Sequence, residues 1–589
     1  MRVCCLPRRR IPPSANLIPL RASVSASVSV SAFAGRQLAF NSTHRPGSHS
    51  PPRPYATRPS EDPRNASSFW LTFAVLAVGG GAWLHRYWSP QSEELTPLHL
   101  RLPRQEPFLG VVDTLQTMPI QPAPGTVGNL TSEQETKLQE FWVLVLKVFG
   151  VNLDVLDLRQ ASGASDARPP SPAQEKKKSK RRWGLWGRGN EDDDDARSIS
   201  SANDVTSSLS AINITDGDDK YGQSKDFQQA LADLSPEEIR TAFWNMVKQD
   251  HPDSLLLRFL RARKWDLKKA LVMMISTMRW RLQDVHVDDD VMANGEALAL
   301  KQSQSSNPVE KKKGEEFLHQ MRMGKSFLHG VDRFGRPICV VRVRLHRASE
   351  QEVDTLERFT VYTIETARLL LAPPVETATI VFDMTDFSMA NMDYTPVKFM
   401  IKCFEANYPE SLGSVLIHKA PWIFSSIWSI IKGWLDPVVA AKIHFTKNRQ
   451  DLEAFIPPSR IPKELEGDEN WEYKYAEVQD GENAKMDDTE TRDSLIAQRQ
   501  TLAREIQDVT VEWIRASFKK ESEALSAAVE KRKDLIEQLR YQYWQLDPYI
   551  RARSLYDRSE IVQGGGRIEF YPDADKVEAS SAKEGQTTA

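Results

Sequence analysis

Few residues in this chain of 589 stand in a spacing that could carry covalent chemistry. It holds no G-x-x-x-x-G-K-[ST] phosphate loop, no G-x-S-x-G nucleophile turn, no H-E-x-x-H zinc helix and no kinase motif set. His418 and His444 lie in strand-like apolar runs, where a hydrogen-bonded core histidine is the expected role rather than a base. Cys4 and Cys5 fall near the N-terminus, and Cys339 and Cys403 are isolated in apolar surroundings. Neither a disulfide framework nor a C-x-x-C metal site is therefore available, and no cofactor is called for. The Asn-x-Ser/Thr tripeptides at Asn41, Asn65, Asn129 and Asn213 read as chance matches. What remains is charge. Arg258, Arg261, Arg263 and Lys264 cluster on a helical stretch, a pattern that by itself describes a solvated helix face. Lys176–Arg182 beside Trp183 and Trp186 could touch anionic lipid headgroups at about 1 kcal/mol per cation. The acidic run Asp192–Asp195 would screen that attraction, so a solvated linker is the preferred reading. A formal net charge of −3 gives no general reason to expect nucleic acid.

A second chemistry is purely apolar. Pro421–Leu435 reads Pro-Trp-Ile-Phe-Ser-Ser-Ile-Trp-Ser-Ile-Ile-Lys-Gly-Trp-Leu, with a single charged side chain and large apolar groups on every side of any helix drawn through it. A surface helix needs a polar face. This segment must either be wholly buried or cover something apolar that comes and goes, such as a lipid chain or a bilayer surface. Gly433 and the serines tilt the choice towards a mobile cover, because they loosen packing.

The elements around that segment alternate. Gly330–Pro337 is a turn and Ile338–Val343 a strand; Asp354–Leu371 is helix-patterned, Thr379–Phe382 a strand, Thr395–Asn407 a helix, and Val415–His418 and Lys442–Phe445 strands. Alternation of this kind predicts a largely parallel sheet flanked by helices, an α/β fold. Ile380-Val381-Phe382 shows no polar alternation, as expected of a strand buried on both faces. Upstream, Thr131-Ser132-Glu133-Gln134 and Ser235-Pro236-Glu237-Glu238 are helix starts, and His251–Asp266 runs into Ala270, Met273, Met274 and Met278 as two helices sharing an apolar seam. Downstream, Leu495, Leu502, Ile506, Val509 and Trp513 make one apolar stripe, followed by a second helix around 525–543 that closes near Leu546-Asp547-Pro548. The stripe predicts a helical hairpin packed on the body, with a dimerising coiled coil as the alternative.

The N-terminal region differs in kind. Residues 1–60 contain no Asp, Glu or Lys but recurrent arginines among serines and alanines, the composition of a mitochondrial import presequence. Arg53-Pro54-Tyr55-Ala56 resembles a matrix-peptidase cleavage site. Ala66–Leu84 carries no charge and is bracketed by Phe69-Trp70 and Trp83, Tyr87 and Trp88, so 66–88 is a candidate transmembrane anchor. The expected location is accordingly membrane-anchored and mitochondrial, with a cytoplasmic or peripheral endomembrane location as the alternative.

Several segments together resemble the CRAL-TRIO phosphatidylinositol-transfer proteins of the secretory type. These are Leu256-Leu257-Arg258-Phe259-Leu260-Arg261-Ala262-Arg263-Lys264-Trp265, Asp332-Arg333-Phe334-Gly335-Arg336-Pro337, Asn407-Tyr408-Pro409-Glu410-Ser411-Leu412-Gly413, Lys419-Ala420-Pro421-Trp422 and Leu435-Asp436-Pro437-Val438. The resemblance implies the CRAL-TRIO lipid-binding fold, with a pocket floored by the sheet and closed by an apolar gate helix. Trp422, Phe424, Ile427, Trp428, Ile431, Trp434 and Leu435 would form that gate and the pocket wall. It also implies a headgroup site. Glu410 and Lys442 match the family's inositol-binding pair, and Arg263 and Lys264 match the basic pair of its helical module. Cation plus carboxylate suits a phosphodiester bearing ring hydroxyls. The chain departs from the family where hydroxyls used for phosphatidylcholine fall on Ala378 and Ile380, which argues against a choline lipid, and where a headgroup threonine falls on Val439, which weakens the match to an inositol lipid.

The implied organisation is a presequence at 1–60, an anchor at 66–88, a proline-rich linker at 89–128 and a helical module at 129–158 and 226–285, broken by a charged linker at 159–225. A lipid-binding domain at 315–465, C-terminal helices at 487–550, and loop and tail at 551–589 follow. The expected function is non-enzymatic: one phospholipid, phosphatidylinositol favoured, is bound and transferred or presented between membranes. Its partners would be the phospholipid and a membrane surface, without nucleic acid, and a protein partner could use the C-terminal helices. A lipid-gated scaffold, or a carrier of a sterol, squalene-like lipid or haem, is the alternative.

Overall fold

The structure is a computed structural model that describes residues 121–151 and 219–571. The presequence, the candidate anchor and most of the charged linker lie outside the described residues. Among the described residues no helix is long and apolar enough to cross a membrane.

The helical module begins as its capping residues dictate. Helix α1 (Ser132–Val148) starts at a reciprocal capping box between Thr131 and Gln134, and α3 (Pro236–Val247) at one between Ser235 and Glu238. Between them stands α2 (Gln223–Asp233). Helices α4 (Pro252–Ala262) and α5 (Leu267–Arg279) share the apolar seam expected of them and bury Leu256, Phe259, Met273 and Met274 against Phe141, Trp142 and Phe243. A buried carboxylate ties this module together: Asp253 accepts from Trp142 Nε1 at 2.7 Å and from Arg532 Nη1 at 2.7 Å.

A helical pair, α6 (Ala293–Ser303) and α7 (Pro308–Met323), leads into the sheet. Its strands are β1 (Ser326–Val331), β2 (Pro337–Arg342), β3 (Ala378–Asp383), β4 (Leu412–His418) and β5 (Ile443–Thr446), in the order β1-β2-β3-β4-β5. The pair β1/β2 is antiparallel and the rest are parallel. Strand β1 is not among the expected strands; Gly330 at φ +68 disturbs its pairing with β2 after Leu328. The turn that follows is built by Asp332, whose Oδ1 accepts from the backbone N–H groups of Phe334 (2.8 Å) and Arg336 (3.0 Å).

Each face of the sheet is buried. Ile338, Val340, Val381 and Leu416 pack on Leu452, Ile456, Ile461 and Leu465. On the opposite face two rungs run across β2 to β5, Cys339–Ile380–Val415–Ile443 and Val341–Phe382–Ile417–Phe445. Helices α8 (Val353–Leu369), α9 (Tyr394–Lys402) and α10 (Phe424–Lys432) stand on this second face.

The C-terminal helices α11 (Thr489–Lys519) and α12 (Ser522–Ile550) form an antiparallel hairpin. Ile506, Val509 and Trp513 of the stripe are buried. Arg499 donates to the carbonyl of Lys248 at 2.5 Å and Arg532 reaches Asp253, so the stripe is spent on the helical module of the same chain. Helix α12 runs through Pro548 to Ile550. The segment after the C-terminal helices differs from the sequence reading. Residues 551–571, expected as loop and tail, are bound to the body: Ala552 N–H donates to the Met292 carbonyl at 3.2 Å, and the Tyr556 hydroxyl accepts from Leu328 N–H at 2.8 Å. Buried aromatic and aliphatic groups at Leu555, Tyr556 and Ile561 fasten this segment, a role without any periodic signature.

Candidate functional site

A cavity of about 240 Å³ lies between the second face of the sheet and helices α8, α9 and α10. Both rungs supply its floor through Cys339, Ile380, Val415, Ile443, Val341, Phe382 and Ile417, and its walls include Leu356 and Phe359 of α8 and Val397 and Met400 of α9. The lining is almost wholly hydrocarbon and aromatic. Such a surface gains on the order of 25 cal/mol for each Å² of apolar ligand that displaces water from it.

Helix α10 is the cover. Phe424, Ile427 and Ile431 are buried, Trp428 is half-buried, and Phe424, Trp428, Ile431 and Leu435 line the cavity at a spacing of four, three and four. Ser425, Ser426, Ser429 and Lys432 face outward. The expectation of large apolar groups all round the helix therefore needs correcting: its nine residues carry a serine face, broken by Ile430 at 48% exposure. Trp422 lies before the helix in a turn and is 85% exposed, so it does not wall the pocket. Ile427 is buried beside the cavity without lining it. Trp434, beyond the helix, packs edge-on against Tyr394 at 5.3 Å, with Lys398 Nζ 4.8 Å from its ring centre.

The far end of this cover is fastened. Glu405, in the π-turn Cys403–Asn407 after α9, accepts from Asp436 N–H at 2.7 Å, from the Tyr221 hydroxyl at 2.7 Å and from Lys220 Nζ at 2.6 Å. Lys220 also donates to the Trp434 carbonyl. Lys220 and Tyr221 belong to the segment expected as linker to residue 225. They are ordered because Glu405 gives both a buried acceptor, and α2 already starts at Gln223.

Glu410 and Lys442 come together at the N-terminal ends of β4 and β5, Oε2 to Nζ 3.2 Å, each side chain about one-fifth exposed. They stand beside the cavity next to Leu412, Val439 and Ile443, which line it. Glu410 adopts a left-handed φ of +53, and its carbonyl accepts from Arg258 Nη1 at 3.1 Å. Arg263 and Lys264 are placed otherwise. Arg263 Nη2 donates to Gln223 Oε1 of α2 at 2.7 Å, and Lys264 is exposed in the turn before α5 at φ +51. Of the basic cluster it is Arg258 that reaches Glu410, five residues before the expected Arg263. The departures at Val439 and Ile380 both lie in the cavity wall and add apolar surface there.

Polar residues that the sequence did not single out line the cavity at its other end: Lys325, His346, Arg342, Asn391 and Asp393 among them. Lys325 is 4% exposed; its Nζ donates to Gln351 Oε1 at 2.9 Å and lies 3.4 Å from His346 Nδ1. Burial pulls the Lys325 ammonium down to about 8, and burial with the Lys325 charge keeps His346 below the ordinary histidine range. His418 is a core histidine whose Nδ1 meets Thr446 Oγ1 at 3.1 Å. Cys339 and Cys403 are buried free thiols, the first pushed up to about 11 by burial. Among the described residues no group of His, Cys, Asp and Glu could hold a metal.

Comparison with known proteins agrees with this geometry. The family described as CRAL/TRIO domain matches residues 321–467, and the CRAL/TRIO N-terminal domain matches residues 223–276. The chain is 39% identical over 450 residues to CRAL-TRIO domain-containing protein C3H8.02 of Schizosaccharomyces pombe, covering 74% of this chain and 92% of that one. It is 40% identical over 444 residues to phosphatidylinositol transfer protein CSR1 of Eremothecium gossypii, covering 74% of this chain and 97% of the other. The Sec14 cytosolic factor of Schizosaccharomyces pombe matches at 28% over 231 residues, 36% of this chain and 74% of that protein.

Proposed function

Since this chain belongs to the CRAL/TRIO domain family, we propose that it binds a single phospholipid, phosphatidylinositol in preference, and transfers or presents it between membranes. The observation that carries this reading is the hydrocarbon-walled cavity between sheet and α10, a space whose lining offers an acyl chain what water cannot. Inositol lipid is preferred because a relative matched over nearly its whole length is named for that transfer. The pair Glu410 and Lys442 is suited to the headgroup: an ammonium for the phosphodiester and a carboxylate as acceptor for ring hydroxyls. In this reading Arg258 positions Glu410 through its carbonyl, and no bond is made or broken in the cargo.

The volume sets a further requirement. A cavity of about 240 Å³ is smaller than the roughly 300–1,000 Å³ of ordinary small-molecule pockets. A two-chain lipid can enter only if α10 swings outward, and the serine face and the exposed Trp422 and Ile430 give that helix a surface compatible with a bilayer interface. The test is mass spectrometry of lipids extracted from the purified protein, followed by transfer of labelled phosphatidylinositol between liposomes. Phosphatidylinositol should be recovered, and Lys442→Ala should reduce its transfer at least tenfold, the loss of one charge-assisted contact. Recovery of no phosphoinositide, with Lys442→Ala transferring as well as wild type, rejects the reading.

A further inference from the structure

Buried cations in this protein mostly sit on carboxylates. Lys248 and Arg281 share the buried Glu365 at 2.7 and 2.6 Å, and Arg532 sits on Asp253. Arg499, also buried, is served by the carbonyls of Lys248, Trp244 and Leu539. Lys325 has neither arrangement. Its partners are one amide oxygen, Gln351 Oε1, and the imidazole of His346, and it has no ion-pair partner among the described residues. Charged side chains are almost never buried to this degree unless paired, because removing an ammonium from water costs far more than one neutral hydrogen bond returns.

The cost falls at a particular place. Lys325 immediately precedes β1, and its carbonyl accepts from Arg342 N–H at the C-terminal end of β2. Glu410 and Lys442 lie at the opposite, N-terminal ends of β4 and β5. The register separates Lys325 from Lys442 by four residues along the strands and four strands across, on the order of 20 Å. Lys325 thus lines the cavity at one end, whereas Glu410 and Lys442 stand beside its other end as an ion pair; Lys442 has a carboxylate on its ammonium and Lys325 does not. Other charged and titratable groups stand at the Lys325 end, of which Asp393 and Arg342 also line the cavity and Glu350 acts on Lys325 through its charge. Asp393 takes the Thr395 N–H at 2.9 Å and lies 3.4 Å from His346 Nε2, Arg342 is held by Glu464 at 2.7 Å, and Glu350 is exposed.

We infer that Lys325, with His346 beside it, forms a second ligand subsite that receives the anionic end group, carboxylate or phosphate, of a single-chain amphiphile lying in the cavity. This inference rests on the reading of the cavity as a lipid container and adds a cargo class to it. One chain suits the volume without displacing α10, and an anion supplies the counter-charge that the protein withholds from Lys325. The lowered affinity of Lys325 for its proton is the same deficit expressed as a titration.

The experiment measures dissociation constants of the delipidated full chain for oleate, for oleoyl lysophosphatidate and for oleyl alcohol, by calorimetry below their aggregation limits. Oleate or lysophosphatidate should bind about ten- to a hundredfold more tightly than the alcohol, and whichever shows the preference identifies the end group. Lys325→Met should abolish that preference while leaving alcohol binding in place. Equal affinity of the wild type for all three amphiphiles overturns the inference, a result that needs no variant. A preference that survives in a Lys325→Met protein still able to bind the alcohol overturns it as well. Phosphatidylinositol transfer, measured on the same proteins, separates the two readings: its absence beside an intact preference removes the proposed cargo and leaves this subsite standing. Failure of all three amphiphiles to bind removes both.

Discussion

Replacing Lys325 with Met should make the protein more stable at neutral pH, although it deletes a hydrogen bond. Burial lowers the Lys325 pKa from 10.5 to about 8. At 1.36 kcal/mol per unit, the folded state at pH 7 bears a cost of about 3 kcal/mol for keeping this ammonium charged. Methionine is close in length, keeps the cavity wall apolar and carries no charge. The change leaves Gln351 Oε1 without the 2.9 Å bond from Nζ, which gives back about 1 kcal/mol. A net gain of about 2 kcal/mol follows. Its pH dependence has a definite sign. A lysine whose folded pKa is depressed binds fewer protons folded than unfolded between about 8 and 10.5, so wild-type stability from this group rises across that window and the advantage of the variant shrinks. The groups facing Lys325 do not reverse this. His346 is held below its usual range and stays neutral there, and the exposed Glu350 acts weakly on Lys325 in the opposite sense to burial. Urea unfolding of wild type and Lys325→Met, followed by tryptophan fluorescence at pH 7 and pH 10, measures the effect. A variant less stable than wild type at pH 7, or a difference that does not change with pH, would refute the reasoning.

Three further outcomes are expected. Glu405→Ala frees Asp436 N–H, Tyr221 and Lys220 together, so lipid should exchange between liposomes several-fold faster; an unchanged rate would show that this fastening does not restrain α10. Trp422 is 85% exposed and buries little in the folded chain, so Trp422→Ser should lower vesicle binding in a sedimentation assay while leaving the urea midpoint where it was. Burial alone would raise the Asp253 carboxyl, but Arg532, His251 and Trp142 hold it at about 2 against an ordinary 3.8. A depressed carboxylate stabilises above its unfolded pKa, so about 2 kcal/mol should be lost between pH 4 and pH 2, a loss absent from Asp253→Asn in acid titrations of stability.

What the sequence determined by itself is local. The capping boxes at Thr131–Gln134 and Ser235–Glu238 form because donor and acceptor lie three residues apart, and the Asp332 turn closes for the same reason. Strands β2 to β4 were legible because an apolar run buried on both faces needs no partner to be recognised, and the Ile506–Val509–Trp513 stripe because helical period alone aligns it. The pairing of Glu410 with Lys442 was expected only through family likeness; its 3.2 Å geometry depends on β4 and β5 lying side by side.

The tertiary structure decided the rest, because burial and facing are properties of packing between distant segments. Trp422, Trp428 and Trp434 are the same residue type within one short stretch, yet one is exposed, one lines the cavity and one packs against Tyr394. Arg258 rather than Arg263 meets Glu410 because α4 presents that turn to the start of β4. Lys220 and Tyr221 acquire a role only where Glu405 arrives, 184 positions beyond Tyr221. Lys325 looks like any lysine before a strand until β1 pairs with β2 and α8 and α9 close over it, leaving an ammonium in a hydrocarbon wall. A side chain's charge is written in the sequence, whereas the solvent taken from it is set by every other element of the fold.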